Sequence, residues 1–412
     1  MPTTCPYHID PTGADIHAEA AALREQGPAA RVVLPDGIPA WSVTDPGLIK
    51  RLTSSNRVSK DAHQHWPLFK EGKVPENWSL GLWVAVRNAL TAFGPEHTRL
   101  RRPLASAFSP RRVRAMVPQI ETITATLLDE LATAGPDTVV DLRDRFAFRL
   151  PLLVVNVVLG VPDDMHAQFR DAVGGLFDTS LSPQEAAASE SLVRRHVDTL
   201  IERKRDEPAE DVTSTLIAAR EAGELTDREL QDSFILLIGA GHETTVNLLD
   251  HACTNLLAHP AQLELAITGE VPWENVVEET LRHQAPIATI LPRFAVEDIV
   301  DQETGIQFSK GDLILINYAA AGRAPRRIQR PDEFDIRRTD TQHLAFGHGA
   351  HLCLGAELAR IESRIALSAL FARFPTMRLA ESPDQLKPIP SFISNGHQRL
   401  PVHLGDQARQ PE

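Results

Sequence analysis

The feature that most restricts this chain is a glycine-rich stretch, residues 346–355, which reads Phe-Gly-His-Gly-Ala-His-Leu-Cys-Leu-Gly. Its glycines allow a tight turn whose backbone passes close to a large neighbour, where a Cβ would clash. The stretch holds one cysteine, Cys353, directly before a segment with a strong helical pattern, Ala356–Arg373. The unpaired N–H groups and dipole at the start of a helix favour a thiolate over a thiol. The pattern therefore predicts a thiolate held open on a tight loop.

A thiolate in this setting, with His351 as a cationic neighbour, suits a haem iron that is bound by cysteine. The stretch resembles the cysteine-loop signature of the cytochrome P-450 family, Phe-Gly-x-Gly-x-His-x-Cys-x-Gly, at every fixed position. The alternative is that Cys353 is a small buried hydrophobic residue, as a lone cysteine usually is. The phenylalanine, glycines and histidine at fixed offsets favour the first interpretation, with Cys353 as the axial ligand of the iron.

The resemblance covers essentially the whole chain and implies one haem domain, residues 1–412, mainly α-helical with small β-sheets (α+β). The haem is then expected between a long central helix and the cysteine loop at 346–355. Helical patterns run from about 95 to 290, and a β-rich N-terminal lobe is expected at about 30–45 and 299–316. Two apolar runs, 31–34 and 40–44, flank a Pro-Asp-Gly turn signal and predict a hairpin.

Composition narrows the class of protein further. The formal net charge of −13 argues against non-specific binding to nucleic acid. The three cysteines, Cys5, Cys253 and Cys353, give no paired framework, which fits a reducing compartment. The first ten residues lack the pattern of a signal peptide, and no apolar run approaches the ~18 residues of a membrane anchor. We therefore expect a cytoplasmic protein that binds neither nucleic acid nor a membrane.

A second motif, Ala-Gly-His-Glu-Thr-Thr at 240–245, lies inside the longest predicted helix, residues 227–259. A glycine and two threonines weaken a helix interior, so we expect a local opening that makes space for a small ligand. The motif resembles the oxygen-binding groove of the family. The resemblance implies that Glu243 is the acid and Thr244 the alcohol that deliver protons during oxygen activation. The alternative is a helix kink without a chemical role.

A buried haem needs cations that neutralise its two propionates. His97 and Arg101, one helical turn apart, resemble the propionate-binding helix of the family. Arg293 lies eleven residues after Arg282, where the family has a propionate arginine, and His351 lies in the cysteine loop. For each of these residues the alternative is an ordinary surface cation.

Glu279 and Arg282 share one helix face at i and i+3. The pattern occurs elsewhere in the chain, and only its position resembles the Glu-x-x-Arg pair of the family, whose role is structural. One departure from the family lies before the cysteine loop, where Asn-Arg-Asp-Pro is usual and residues 322–325 read Gly-Arg-Ala-Pro. We expect this change to remove two polar groups that brace the loop.

The resemblance implies a haem-thiolate monooxygenase that uses haem b and O2 to oxidise a large hydrophobic substrate. The residues 57–61 and the region 66–83 are similar to actinobacterial members that oxidise macrolactones and steroids, and a terpenoid is a further possibility for the substrate. The expected substrate contacts are Trp83, Val84, Ala240, Thr289, Ile290 and Phe392, and 66–86 is expected to form a lid. The alternative function is a haem-thiolate protein without reductive oxygen activation: a peroxide-driven or isomerising enzyme, or a ligand sensor.

The chain shows no flavin or nucleotide motif and no cysteine set for an iron–sulfur cluster. Electrons are therefore expected from separate proteins, a ferredoxin and its reductase. We expect a cationic docking patch on the cysteine side of the haem, formed by Arg102, Arg111, Arg112, Arg326, Arg327 and Arg360.

Overall fold

The computed structural model describes residues 6–75, 78, 80–173 and 182–407, and these are mainly α-helical with small β-sheets, as predicted. The helices are α1 (Ile16–Glu25), α2 (Pro46–Thr53), α3 (Ala62–His65), α4 (Pro67–Lys70), α5 (Leu82–Ala85), α6 (Gly94–Ala107), α7 (Pro110–Ala115), α8 (Val117–Ala132), α9 (Arg149–Leu159), α10 (His166–Val173), α11 (Pro183–Asp206), α12 (Val212–Glu221), α13 (Asp227–Ala258), α14 (Pro260–Ile267), α15 (Trp273–His283), α16 (Tyr318–Gly322) and α17 (Ala356–Arg373). The strands are β1 (Tyr7–His8), β2 (Ala29–Leu34), β3 (Ile38–Val43), β4 (Val58–Ser59), β5 (Val139–Asp141), β6 (Thr289–Ala295), β7 (Ile299–Val300), β8 (Gln307–Phe308), β9 (Leu313–Asn317), β10 (Arg378–Leu379) and β11 (Pro401–His403). A turn of π-helix, Arg143–Ala147, precedes α9.

The largest sheet has six strands in the order β1-β2-β3-β9-β6-β4. The predicted hairpin is confirmed, because β2 and β3 pair antiparallel from Ala29 opposite Val43 to Leu34 opposite Ile38. Strand β9 pairs parallel with β3 and antiparallel with β6, which brings the N-terminal lobe against the segment after α15. Strand β6, which carries Arg293 to the site, was not predicted from the sequence.

Helix α13 crosses the centre of the helical part, as its length of 32 residues allows. It begins at the predicted capping box, in which Thr226 accepts from the Glu229 N–H and the Glu229 carboxylate accepts from the Thr226 N–H. Its middle is buried and packs against α9, α15 and α17. The helix that carries the Glu-Thr-Thr motif is therefore fixed on several sides by apolar packing. None of the described helices is long and apolar enough to cross a membrane.

Three predicted helices differ from the structure. The pattern at 113–134 is divided at Met116 into α7 and α8, because Pro118 has no N–H to continue the first helix. The helix predicted at 146–159 begins with the π-helical turn instead of an α-turn. The one predicted at 163–177 is described from 163 to 173, and its last four residues, like Cys5, lie outside the described residues.

Glu279 and Arg282 form a fully buried ion pair within α15. The guanidinium donates from Nε and Nη2 to the two carboxylate oxygens at 2.7 and 2.8 Å, and neither side chain is exposed. Its remaining N–H groups donate to the carbonyls of Gly322, Pro331 and Glu333. The pair therefore holds the irregular segment 322–338, which leads into the cysteine loop, against α15.

Gly322 stands where the family usually has asparagine. A steric reason explains the glycine at this position. A Cβ on this residue would lie 2.1 Å from the carbonyl oxygen of Arg282, closer than any real contact allows. The neighbouring Arg323 donates from Nε to the carbonyl of His283 at 3.0 Å. The segment before the cysteine loop is thus held by its close contact with α15. This contact takes the place of the two polar side chains that the family usually has here.

Candidate active site

A cavity of about 310 Å³ lies between the middle of α13 and the cysteine loop. Its walls are mostly apolar and come from α9, α13, β6 and residues 86–91. Cys353 lines this cavity, and the cysteine is exposed for that reason, although it lies within the protein. Cys253, by contrast, is buried in the core and does not line the cavity.

The cysteine loop is closed by main-chain hydrogen bonds. The N–H of Cys353 donates to the carbonyl of Phe346 at 2.9 Å, and that of Gly347 donates to Leu344 at 2.7 Å. Gly349 has a φ of +75°, and a Cβ there would lie 2.2 Å from the carbonyl oxygen of Thr53. Glycine is therefore needed at this position for the reason inferred from sequence. The backbone of the loop passes directly over the end of α2, and a Cβ would clash there.

The thiol of Cys353 is under opposing influences. Burial raises its pKa, whereas the N–H of Gly355 and the guanidinium groups of Arg101 and Arg360 lower it. The effect of the Gly355 N–H has the direction expected for the start of α17, while the opposing effect of burial is larger. Bonding to a metal ion deprotonates a coordinating thiol outright, which leaves the sulfur suitable as a metal ligand.

The four predicted propionate ligands come together at one side of the cavity. His97 and Arg101 lie on α6, and the His97 ring lies 4.2 Å from that of His351, between centroids. Arg101, Arg293 and His351 line the cavity. In the described part of the chain, neither Arg101 nor Arg293 forms an ion pair with a carboxylate.

A fifth basic residue, Lys60, joins this cluster, and it was not identified from the sequence. Burial lowers the pKa of the His97 and His351 rings, so the positive charge of the cluster comes chiefly from its arginines. Lys60 lines the cavity, and its pKa lies well below the usual value because of burial and the nearby charge of Arg293. The residue follows β4, and only the pairing of β4 with β6 brings it beside Arg293. No local pattern around Lys60 could have indicated this position.

The chemistry of these groups fits a haem. Two buried polar atoms of the cluster, His97 Nε2 and Arg293 Nη1, have no hydrogen-bond partner among the described residues, and a buried polar atom without one is costly. An anionic edge, such as two propionates, would supply the missing acceptors. The sulfur of Cys353, on the same apolar cavity, would supply a ligand for the haem iron.

Thr244 lines the cavity from α13, close in sequence to Ala240, which also lines it. The Thr244 hydroxyl donates to the carbonyl of Ala240 at 2.8 Å, and the helix is continuous through the motif. The expected local opening of the helix is therefore wrong. Gly241 instead serves packing against α9, because a Cβ there would lie 2.9 Å from Cγ2 of Val155.

Glu243 lies beside Thr244 in a network that the sequence analysis missed. Its Oε1 accepts from Arg143 Nη2 at 3.2 Å and from the Ser394 hydroxyl at 3.3 Å. Burial raises the pKa of the Glu243 carboxyl, and the Arg143 guanidinium opposes that shift. The two partners lie 100 and 151 residues away along the chain, so no spacing pattern could have indicated them.

The predicted substrate contacts divide into two groups. Trp83, Ala240 and Ile290 line the cavity. Val84, Thr289 and Phe392 do not: all three are buried in the surrounding core, while Val86 and Ile393 line the cavity near them. The errors are of one or two residues, because neighbouring residues on a turn or strand face opposite ways.

Two tryptophans of the predicted lid region lie in the core instead. Trp66 and Trp78 are buried, and Trp66 stacks on Phe294 with centroids 5.4 Å apart. Residues 76, 77 and 79 of this region lie outside the described residues. A further unpredicted residue, Glu362 on α17, lines the cavity, and burial raises the pKa of its carboxyl to about 8.

Comparisons with known proteins agree with this fold. The family model described as Cytochrome P450 matches residues 273–396. The 2-hydroxy-5-methyl-1-naphthoate 7-hydroxylase of Streptomyces carzinostaticus is 43% identical over 406 residues, which make up 98% of each chain. The 6-deoxyerythronolide B hydroxylase of Saccharopolyspora erythraea is 36% identical over 413 residues, covering 98% of this chain and 100% of the relative.

Among solved structures, that of CYP154A1 from Streptomyces coelicolor A3(2) superimposes with a TM-score of 0.92 at 50% identity, covering 97% of this chain and 100% of the other. The fold and the relatives define an oxidoreductase that incorporates oxygen from O2. The chain belongs to the cytochrome P450 family, as the sequence resemblance predicts. The family uses a haem iron with a cysteine thiolate ligand.

Proposed function

We propose that this monooxygenase inserts one oxygen atom from O2 into a large hydrophobic substrate, such as a macrolactone or other polyketide, a steroid or a terpenoid. The observation that carries the proposal is that Cys353 and Thr244 line the same, mostly apolar cavity. An apolar wall selects for substrates whose binding is driven by burial of hydrophobic surface. The relatives named as hydroxylases of a methylnaphthoate and of 6-deoxyerythronolide B support a polycyclic or polyketide substrate.

The cofactor in this proposal is haem b. Cys353 binds the iron, while His97, Arg101, Arg293 and His351 hold the propionates. Bound there, the haem iron supplies the reductive activation of O2. The contribution of the chain is to neutralise the anionic edge with buried cations and to keep the face next to α13 apolar. Trp83, Ala240 and Ile290 line that apolar part and contact the substrate.

Proton delivery is the task of Thr244 and Glu243. Thr244 lines the cavity from α13, as Ala240 does, and so brings a hydroxyl group to its wall. Glu243 lies outside the cavity lining, in contact with Arg143 and Ser394, and burial favours its protonated form. Protons therefore pass from the Glu243 carboxyl toward the Thr244 hydroxyl, which must release its bond to the Ala240 carbonyl to donate them onward.

Electrons come from a separate ferredoxin and its reductase, in the cytoplasm. Of the six arginines in the proposed docking patch, Arg102 and Arg360 are ion-paired with Glu224 and Glu278. The exposed Arg111 and Arg112 lie on α7, which packs on α17, the helix that follows Cys353. These two residues, with the exposed Arg326 and Arg327, are the cations that an acidic ferredoxin would meet.

The function is tested by separating oxygen consumption from product formation. With a surrogate ferredoxin system and a bound substrate, Thr244→Ala and Glu243→Gln should keep consuming reducing equivalents but release mainly hydrogen peroxide. Loss of a positioned proton donor typically lowers the productive rate by about 10²–10⁴. Thr254→Ala is the matched control, because that hydroxyl makes the same i−4 bond on the same helix, outside the cavity lining. If both site variants still used most of their reducing equivalents to form hydroxylated product, the result would contradict the proposal.

A further inference from the structure

Three polar residues of α13 form a stripe that faces one arginine. Glu243, Asn247 and Asp250 are spaced at i, i+4 and i+7, so they share a helix face. Arg143, from the π-helical turn, lies 3.2 Å from Glu243 Oε1, 2.9 Å from Asn247 Oδ1 and 3.4 Å from Asp250 Oδ2. One buried guanidinium is thus shared between the fully buried carboxylate of Asp250 and the mostly buried carboxylate of Glu243.

The second carboxylate has a partner of its own. Asp250, with no exposure, accepts the main-chain N–H of His397 at 2.7 Å, and the His397 Nδ1 lies 3.1 Å from both carboxylate oxygens. His397 is partly exposed, with 15% of its side chain accessible. The stripe is therefore connected to solvent at its Asp250 end, through a ring that can take up a proton.

The other titratable groups nearby are neutral at physiological pH. Burial lowers the pKa of His242 and of His251 to about 4 each. His251 lies beside His397, 5.0 Å between ring centroids, and contacts the carbonyl of Asn395. Ser394, which donates to Glu243, has no charge. The charges that face Glu243 from its own helix, the π-helical turn and the C-terminal segment are thus those of Asp250, Arg143 and His397.

The number of charges decides which carboxyl keeps a proton. While His397 is neutral, two buried carboxylates have only one cation, and a second ionised group would be left uncompensated. Asp250 has the fixed main-chain N–H as an additional donor to its ionised form, which Glu243 lacks. Glu243 is therefore the carboxyl that holds the proton.

We propose that Asp250 is a positioning residue for proton delivery: its carboxylate shares the charge of Arg143, which favours the protonated form of the neighbouring Glu243 carboxyl. His397 links the protonation of Glu243 to solvent. A proton on the His397 ring would compensate the charge of Asp250, and the Arg143 charge would then stabilise the ionised form of Glu243. The inference rests on the proposed role of Glu243, and it adds the residues that prepare that group.

Infrared difference spectroscopy of the ferric holoprotein tests this directly, without turnover. The carbonyl band of a protonated carboxyl that is lost in Glu243→Gln reports on Glu243, and its midpoint is followed against pH. Asp250→Asn should lower that midpoint by about one to three pH units, because Arg143 then serves Glu243 alone. His397→Gln should raise the midpoint, since without this ring no proton taken up there can offset the charge of Asp250. Opposite shifts from two neighbouring sites are not expected from damage to the fold.

Asp232→Asn is the matched control. Asp232 is also fully buried on α13 and ion-paired with Arg194 and Arg228, and its removal should leave the Glu243 midpoint unchanged. An unchanged or raised midpoint in Asp250→Asn would overturn the inference, as would a lowered one in His397→Gln. Shifted midpoints together with full coupling in Glu243→Gln would support the charge relationship and contradict the role of Glu243 in proton delivery.

Discussion

Arg101 Nη2 donates to the main-chain carbonyl of Leu352 at 2.5 Å, which joins α6 to the residue before Cys353. The same guanidinium lines the cavity and lowers the pKa of the Cys353 thiol. One side chain therefore contacts both parts of the proposed haem site, the anionic edge and the loop that bears the sulfur. The sequence resemblance indicates only the first of these contacts.

Replacing Arg101 should weaken haem retention through both contacts. Arg101→Gln removes a charged hydrogen-bond donor, a loss of about 1.5–3 kcal/mol, which corresponds to roughly 10–100-fold faster haem release. The transfer of haem to an excess of apomyoglobin measures that rate. Arg102→Gln is the control, since its exposed guanidinium pairs with Glu224 away from the loop, and it should release haem at the rate of the unaltered protein. Equal rates in both variants would contradict the assignment of Arg101.

The buried Glu279–Arg282 pair should be needed for stability, independently of catalysis. Glu279→Gln leaves the Arg282 guanidinium buried beside Arg338 with no compensating charge, which typically costs about 3–5 kcal/mol. Denaturant unfolding followed by circular dichroism measures this loss. Arg337→Gln, which removes an exposed pair with Glu270, should change the unfolding midpoint little. A similarly small change in Glu279→Gln would show that the pair does not support the fold.

Restoring the asparagine that the family usually has at 322 should destabilise this protein. In Gly322→Asn the new Cβ would lie 2.1 Å from the Arg282 carbonyl oxygen, so α15 or the segment before the cysteine loop must move. We expect a lower melting temperature and a lower haem content after purification. Gly135→Ala serves as control, because its new Cβ meets only the Thr138 hydroxyl at 3.5 Å. A more stable Gly322→Asn protein would contradict the steric explanation.

Charge reversal on α7 should slow reduction by ferredoxin. The double variant Arg111→Glu, Arg112→Glu is expected to lower the association rate several-fold at low salt, with a smaller difference at high salt, because exposed charges are screened. Stopped-flow reduction measures that rate, and peroxide-supported turnover should stay unchanged. Arg195→Glu with Arg205→Glu, on α11, is the matched control for net charge. If peroxide-supported turnover falls together with reduction, the arginines support the fold or the haem instead of docking.

Local sequence signals predicted the parts of the fold that depend on local interactions. The capping box at Thr226, the bounds of α17 and the hairpin of β2 and β3 all follow from residues close in sequence. Strand β6 could not be predicted in this way, because its pairing with β9 and β4 is made by residues elsewhere in the chain.

The same division applies to the site. The motifs around Cys353 and Thr244 are contiguous, and the sequence alone indicates them. Lys60, Arg143 and Asp250 reach the site only through strand pairing and helix packing, so their contribution to its charge required the structure. Side-chain direction was the remaining source of error, since Val84 and Phe392 are each close in sequence to a residue that lines the cavity.

The central claim is that Cys353 binds the haem iron through its sulfur. The most direct measurement is the absorption spectrum of the reduced, CO-treated protein in three single variants. Cys253→Ser and Cys5→Ser should keep the red-shifted band of thiolate-bound haem, while Cys353→Ser should lose it. Retention of the band in Cys353→Ser, with its loss in Cys253→Ser or Cys5→Ser, would contradict the account.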